Sequence, residues 1–403
     1  MKRSIFIFFC FILSSCIEEF VPETITFEDL LVVEAAITDE FKFHEIKLSR
    51  TFRFEEELTY ESQADVRIID DMQNVYLFNE TEPGKYISSI MFRIQPNRNY
   101  TLKINTKDNQ SYSSSATKLP SNTAQITEVS YTQTTNSDGV EGIDILVDSF
   151  DPSGDARYYR YEFEETDRIT AGSWGPQEII IVSDVPPFQV TAIPNTRNNR
   201  ICYRTIITKD DLIQTQTNNF TEDRITRFPV KFISKTNSII RDRYSILVKQ
   251  HVQSLEAYTY FRILNEFASS ESVLSENQPG FLDGNIFPTT NPNEKVIGFF
   301  ELTAVSTNRM FLNYKDVFPS ANQLSNFANC GIGSRFKPAL VDPENPNFSP
   351  LIDLFQRNQI VFYSRNEDFF GEFIEDPPFT VVPRWCGDCT FWGTNVKPNF
   401  WID

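Results

Sequence analysis

Near its end the chain carries Cys386-Gly-Asp-Cys389, a spacing shared by three different chemistries. Two such thiolates could supply half of a tetrahedral zinc site, run thiol–disulfide exchange, or each pair with a cysteine elsewhere. A structural zinc wants two further Cys or His close by, and the two histidines, His44 and His251, are far off in sequence. A redox-active pair wants a strand before it and a helix after it. Here Pro383 precedes the pair, and Gly393 and Pro398 follow it. Setting Cys10 and Cys16 aside leaves Cys202, Cys330, Cys386 and Cys389, an even number. Structural disulfides among those four are the expectation, with three connectivities open.

Other candidate chemistry is thinner. Asp148-Ser-Phe-Asp151-Pro-Ser-Gly-Asp155 places three carboxylates in one short stretch, a weak calcium candidate. An EF-hand loop needs its own ligand spacing and a terminal Glu, whereas Asp-Pro and Ser-Gly are ordinary turn chemistry. The turn is the preferred reading, with no metal and no cofactor expected. A hydrolase needs a nucleophile with a base, or paired carboxylates across a cleft. Two histidines leave few Ser-His-Asp arrangements, and neither GxSxG nor HExxH occurs. Glu162, Glu164 and Glu165 read as a solvated strand end. The expectation is that the protein is not an enzyme.

The amino terminus gives an address. Lys2 and Arg3 precede an apolar run from Ile5 to Leu13, far short of the roughly 20 residues that span a bilayer. A charged start, a short apolar core and small residues describe a secretory signal. Leu13-Ser14-Ser15-Cys16 resembles the bacterial lipobox, which implies cleavage before Cys16 and acylation of its thiol and new amino group. Several acyl chains make a stable anchor, at about 0.8 kcal/mol per buried methylene. Glu18-Glu19 resembles the acidic pair after the lipidated cysteine of surface-exported Bacteroidetes lipoproteins. Loss of Lys2 and Arg3 takes the formal charge of the whole chain, −18, to about −20. Such a charge repels phosphates and anionic headgroups, so nucleic-acid binding is not expected.

The elements that would position these residues are mostly strands. Leu30–Ile37, His44–Arg50, Ala64–Asp70, Val75–Phe78, Gly84–Ile87 and Asn99–Ile104 are short and turn-separated, without helical period. Over residues 27–118 they resemble transthyretin-like or carboxypeptidase-regulatory-like sandwiches. Ser111–Pro120 reads as a polar linker. Ile126–Tyr131, Gly142–Val147 and Tyr158–Phe163, with strands near 187–193, 201–207, 228–233 and 243–249, resemble a fibronectin type III or Ig-like sandwich. From Ser254 to Ser275 the apolar positions Leu255, Tyr258, Phe261, Leu264, Phe267 and Leu274 predict an amphipathic helix, capped by Ser254 and ended by Asn277-Gln-Pro-Gly280. Glu294–Ser306 and Arg309–Tyr314 read as a hairpin, and the chain from Phe318 onward as irregular. The expected organisation is a signal peptide (1–15), a tether (16–26), an N-terminal β-sandwich (27–120) and an Ig/fibronectin-III-like sandwich (121–250). A helix, a hairpin and a cysteine-stapled segment (251–403) would pack on the second sandwich.

Read in order, LLVVEAAITDE…KLSR, EPGKY, YYRYEF, PGFLDGNIFPTTNPNEKVIGFFEL and CGDCTFWGTNVKPNFW resemble the DUF4249 family of Bacteroidetes lipoproteins. The resemblance runs over the whole mature chain, and the Cys386–Cys389 ending with Lys397-Pro-x-Phe-Trp401 is its most specific part. Fewer glycines in the last segment are a mild departure. Members are typically encoded beside a TonB-dependent outer-membrane receptor, which implies an accessory or ligand-capture role in nutrient uptake at the cell surface. The family carries no established catalytic residues. A structural lid or an adhesin-like module without a small-ligand site is the alternative, and a surface hydrolase a more distant one. The aromatic tail Phe391, Trp392, Phe400 and Trp401 would either stack on sugars or dock a partner, or be buried against the stapled segment.

Overall fold

A computed structural model describes residues 29–51, 58–120, 123–269, 282–321, 330–365 and 379–403. The expected signal peptide and tether, with Cys16, lie outside the described residues. The chain is mostly β. Its first strands are β1 (Leu31–Thr38), β2 (Glu45–Arg50), β3 (Asp65–Asp70), β4 (Val75–Glu82), β5 (Lys85–Ser88), β6 (Asn99–Asn105), β7 (Ser111–Ser114) and β8 (Thr117–Lys118). Next come β9 (Gln125–Thr135), β10 (Glu141–Phe150), β11 (Tyr158–Thr170), the hairpin β12 (Gln177–Ser183) and β13 (Gln189–Pro194), β14 (Ile201–Gln216), β15 (Arg224–Ser234) and β16 (Arg243–Gln253). Then follow helix α1 (Leu255–Ser269), β17 (Ile286–Pro288), β18 (Val296–Asn313) with a one-turn helix at Tyr314–Val317, helix α2 (Pro350–Gln356), β19 (Ile360–Arg365), β20 (Phe379–Pro383) and the short helix α3 (Arg384–Gly387).

In β1 the side chains alternate, with Leu31, Val33, Ala35 and Ile37 inward and Glu34 and Ala36 outward, the period of two that a sheet imposes. They join Ile46, Leu48, Val66, Ile68, Tyr86, Leu102 and Ile104 in the first core. The strands of that unit run β1-β2-β5-β4-β3-β6-β7-β17, with β8 on β6. The Ser111–Pro120 stretch is therefore not a linker. Ser111, Ser113 and Thr117 find ladder partners in β6 and Ser114 in β17, which polarity alone does not forbid.

The second unit packs a sheet of order β15-β10-β9 against one of order β14-β11-β16-β18, counted over the described residues. Val129, Ile143, Ile145, Val147, Val230 and Ile233 from one face Tyr159, Tyr161, Tyr244, Ile246 and Val248 from the other. This is the sheet-on-sheet core that alternating apolar residues specify.

The expected hairpin at 294–314 is instead one long strand. Residues Val296–Thr303 of β18 pair in parallel with β1, and Ala304–Asn313 pair antiparallel with β16. The polar Ser306-Thr307-Asn308 read as a turn, but Gln250, Lys249 and Val248 of β16 lie opposite and satisfy its backbone. A single strand thus belongs to both units. Helix α1 begins where expected, with Ser254 Oγ accepting the Ala257 N–H at 3.1 Å. Its buried stripe is Ala257 and Tyr260 with Phe261, packed against Phe299 with tilted rings, while Leu255 and Leu264 are exposed. Leu274 and Asn277–Gly280 lie outside the described residues.

Candidate functional site

The chain after Phe318 is held by two disulfides, Cys202–Cys389 and Cys330–Cys386, with Cα separations of 5.5 and 5.3 Å. Each member of the CxxC is bonded to a distant cysteine, so the pair is a double staple and its thiols are spent. Metal and redox readings of Cys386 and Cys389 end there. The local fold is set by Asp388, whose Oδ1 accepts the Thr390 N–H at 2.9 Å and its hydroxyl at 2.6 Å. Gly387 is required by close approach, because a Cβ would fall 2.4 Å from a Val361 methyl. Around this knot the segment that reads as irregular forms α2 and the β19–β20 pair. Leu351, Ile360, Phe362, Phe379 and Val381 bury against Ile179 of the β12–β13 hairpin. That hairpin is an excursion between β11 and β14 that the sequence reading half missed, though Ile179-Ile-Ile-Val182 carries strand propensity.

The aromatic tail divides. Trp401 is buried, 5.0 Å from the Tyr203 ring and 5.7 Å from Phe311, so of the two alternatives it takes burial and is no surface contact residue. Phe400 is half-buried beneath the Arg309 guanidinium, 3.5 Å from the ring centre. Trp392 is half-buried beside the Cys202–Cys389 cluster and donates its indole N–H to the Trp385 carbonyl at 3.0 Å. Two aromatics beside the CxxC are exposed: Phe391, 47% exposed, and Trp385, 41% exposed and absent from the sequence-based candidates. Their rings lie 6.2 Å apart, with Trp392 4.9 Å from Phe391 and Arg384 over Phe391. Two large rings are thus held outward on a covalently closed scaffold.

Beside the knot, between the hairpin and β19, lies a cleft of about 220 Å³. One wall is apolar, from Ile179, Ile181, Phe355, Ile360 and Phe362. The other is polar. Glu178 of β12 is mostly buried and ion-paired with Arg197, whose side chain is 61% exposed. Asn195 Nδ2 donates to the Gly175 carbonyl and to Asn199 Oδ1, and Asn199 Oδ1 also accepts the Trp174 indole N–H. Asn195 and Asn199 are thereby committed to the scaffold, and Glu178 and Arg197 are the two charged groups of the lining.

The model of a domain of unknown function, DUF4249, matches residues 17–309. The chain belongs to the DUF4249 family. The match stops inside β18 and does not reach the stapled segment, so the ending that carries the sharpest sequence resemblance lies beyond it. No curated protein matches this DUF4249 chain. Among solved structures it is similar to a DUF4785 family protein from Legionella pneumophila, at 10% identity and a TM-score of 0.18, over 55% of this chain. The alignment spans about half, 51%, of that protein's length.

The remaining candidates of the DUF4249 chain are structural. Asp151 is buried, and its carboxylate accepts the N–H groups of Ser153, Asp155 and Ala156 and the Thr123 hydroxyl. Those donors hold its pKa down at about 2, against the pull of burial. Asp148 Oδ1 accepts the Arg227 N–H at 3.1 Å. With its lone pairs taken by these donors, Asp151 organises the turn that the sequence reading preferred, and among the described residues no group of three or more His, Cys, Asp or Glu is placed to hold a metal ion. Glu162, Glu164 and Glu165 are not a solvated end. Glu164 pairs with Arg309 at 2.9 Å, Glu165 accepts the Tyr244 hydroxyl at 2.7 Å, and Glu162 faces Arg160 and His251. His251 is buried there beside Thr303, with Arg160 bridging to the buried Glu301. His44 is buried elsewhere in the fold, its Nε2 2.9 Å from the Phe92 carbonyl oxygen.

Proposed function

We propose that this chain is a lipid-anchored binding module of the outer membrane, exposed at the cell surface, serving as an accessory or ligand-capture subunit of a TonB-dependent transporter. It is a recognition protein and not an enzyme. The observation that carries this reading is the rigid aromatic face: Trp385 and Phe391 are exposed on a segment stapled twice. Exposed aromatics on a rigid scaffold bury much area at small entropic cost, which is how binding surfaces are built. The lipobox-like Leu13–Cys16 supports the anchor, and the burial of both histidines in structural contacts supports a non-catalytic role.

The anchor is tested by Cys16→Ala, which should release the protein from membranes and abolish labelling by a fatty-acid probe. Retained membrane attachment with label would refute it. The partner is tested by affinity purification from detergent-solubilised membranes. The unaltered chain should recover an outer-membrane receptor, and a Trp385→Ala/Phe391→Ala double variant should recover at least about tenfold less. Recovery of no receptor by the unaltered chain sinks the uptake role.

A further inference from the structure

We propose that the cleft between the β12–β13 hairpin and β19 is a binding site for a small zwitterion with an apolar side chain, a branched-chain amino acid being the simplest case. The inference deepens the capture reading by naming a ligand class. Its volume, about 220 Å³, lies below the range of about 300–1,000 Å³ that drug-sized ligands fill, so the occupant is small. The polar wall presents one anion and one cation side by side, Glu178 and Arg197. A carboxylic acid alone would satisfy Arg197 and be repelled by Glu178; an amine alone would reverse the problem. A zwitterion places its ammonium on Glu178 and its carboxylate on the guanidinium, which keeps both charges paired. The opposite wall, Ile179, Phe355, Ile360 and Phe362, then receives an aliphatic chain.

The site is also built before any ligand arrives. The core beneath it joins Ile179, Leu351, Ile360 and Phe362, Gly387 lets the knot's backbone form part of the lining, and both disulfides close on the same segment. Preformed walls lower the ordering cost of binding, and this is the condition under which a small ligand gains useful affinity.

The test is calorimetric titration of the purified mature chain, disulfides intact, with L-leucine, 4-methylpentanoate and 3-methylbutylamine, three molecules sharing one aliphatic chain. L-leucine should bind, and each single-charge analogue should bind about tenfold more weakly or worse, since a charge-assisted hydrogen bond is lost. Arg197→Ala should weaken L-leucine by a similar factor while sparing 3-methylbutylamine, and Glu178→Gln should do the converse. Ile181→Trp, which fills the cleft, should abolish binding with its far-UV circular dichroism unchanged. No heat with L-leucine at millimolar concentration, or equal affinity for all three compounds, overturns the proposal. Receptor recovery from membranes is a separate readout, so loss of the ligand site and loss of the transporter role are told apart.

Discussion

Gly298 shows how much one position decides. Its φ of +147° lies where side chains are rarely accommodated, and a Cβ there would sit 2.4 Å from the Val33 carbonyl oxygen. Gly298→Ala should therefore destabilise the protein by about 2–3 kcal/mol, read as a lower urea midpoint with an unchanged slope. An unaltered midpoint would show that the strand yields. His44 decides part of the pH response. Burial, with protonated Lys42 adding to it, pushes its pKa from the ordinary value of 6.5 down to about 4. Between those values the unfolded chain binds a proton that the folded chain does not, so stability falls as pH drops from about 6.5 toward 4. His251, driven the same way by burial and Arg160, adds to the slope. His44→Gln should flatten the dependence of the melting temperature across that window, and an equally steep profile would assign the slope elsewhere. At this scale residue types were legible and neighbours were not. Four cysteines allow three pairings, and nothing local says that Trp401 meets Tyr203 and Phe311 while Trp385 faces water.

Elements were legible where a period exists. β1, β2, β3, β6, β11 and β16 all lie where alternating or apolar runs place them, because one buried face imposes a period of two. The miss at β18 has a physical cause: a polar stretch marks a turn only when no partner strand is there to pair it, and β16 is separated from it by more than forty residues. The stripe of α1 was displaced for a related reason, since Phe299 and not the helix selects which residues are covered. The stapled segment makes its own prediction. The Cys330–Cys386 bond spans 56 residues, which in the chain-entropy picture contributes on the order of 4 kcal/mol to the region it closes. A Cys330→Ser/Cys386→Ser variant should be cut by trypsin faster after Arg357 and Arg384, with the sandwiches intact. Cleavage at the unaltered rate would mean that the hairpin core alone holds the segment.

The distribution of tryptophan separates the parts of the molecule optically. All four, Trp174, Trp385, Trp392 and Trp401, lie in or against the stapled segment and none in the first sandwich. Indole fluorescence therefore reports on the C-terminal region, while far-UV circular dichroism reports chiefly on the sheets. Under a thiol reductant the fluorescence should shift at a lower urea concentration than the dichroism. In the oxidised protein the dichroism should fall in one transition, because β18 is a strand of both sandwiches. Two resolved dichroism transitions would mean that the shared strand couples nothing. The mostly-β class and tandem sandwich-like units follow from sequence pattern, but the junction does not. Where two units share backbone is a matter of long-range pairing, which composition and period do not encode.

That shared strand has a mechanical consequence. β1 and β18 run parallel through eight residue pairs, from Leu31 with Val296 to Thr38 with Thr303. Tension that draws β1 backward along its own axis while the second sandwich draws β18 forward loads every rung of that ladder together. The bonds must yield in shear as a set, whereas a hairpin pulled at its open end unzips one rung at a time. A chain held at its amino terminus and tugged from its far units thus meets a shear-loaded connection at the seam between the sandwiches.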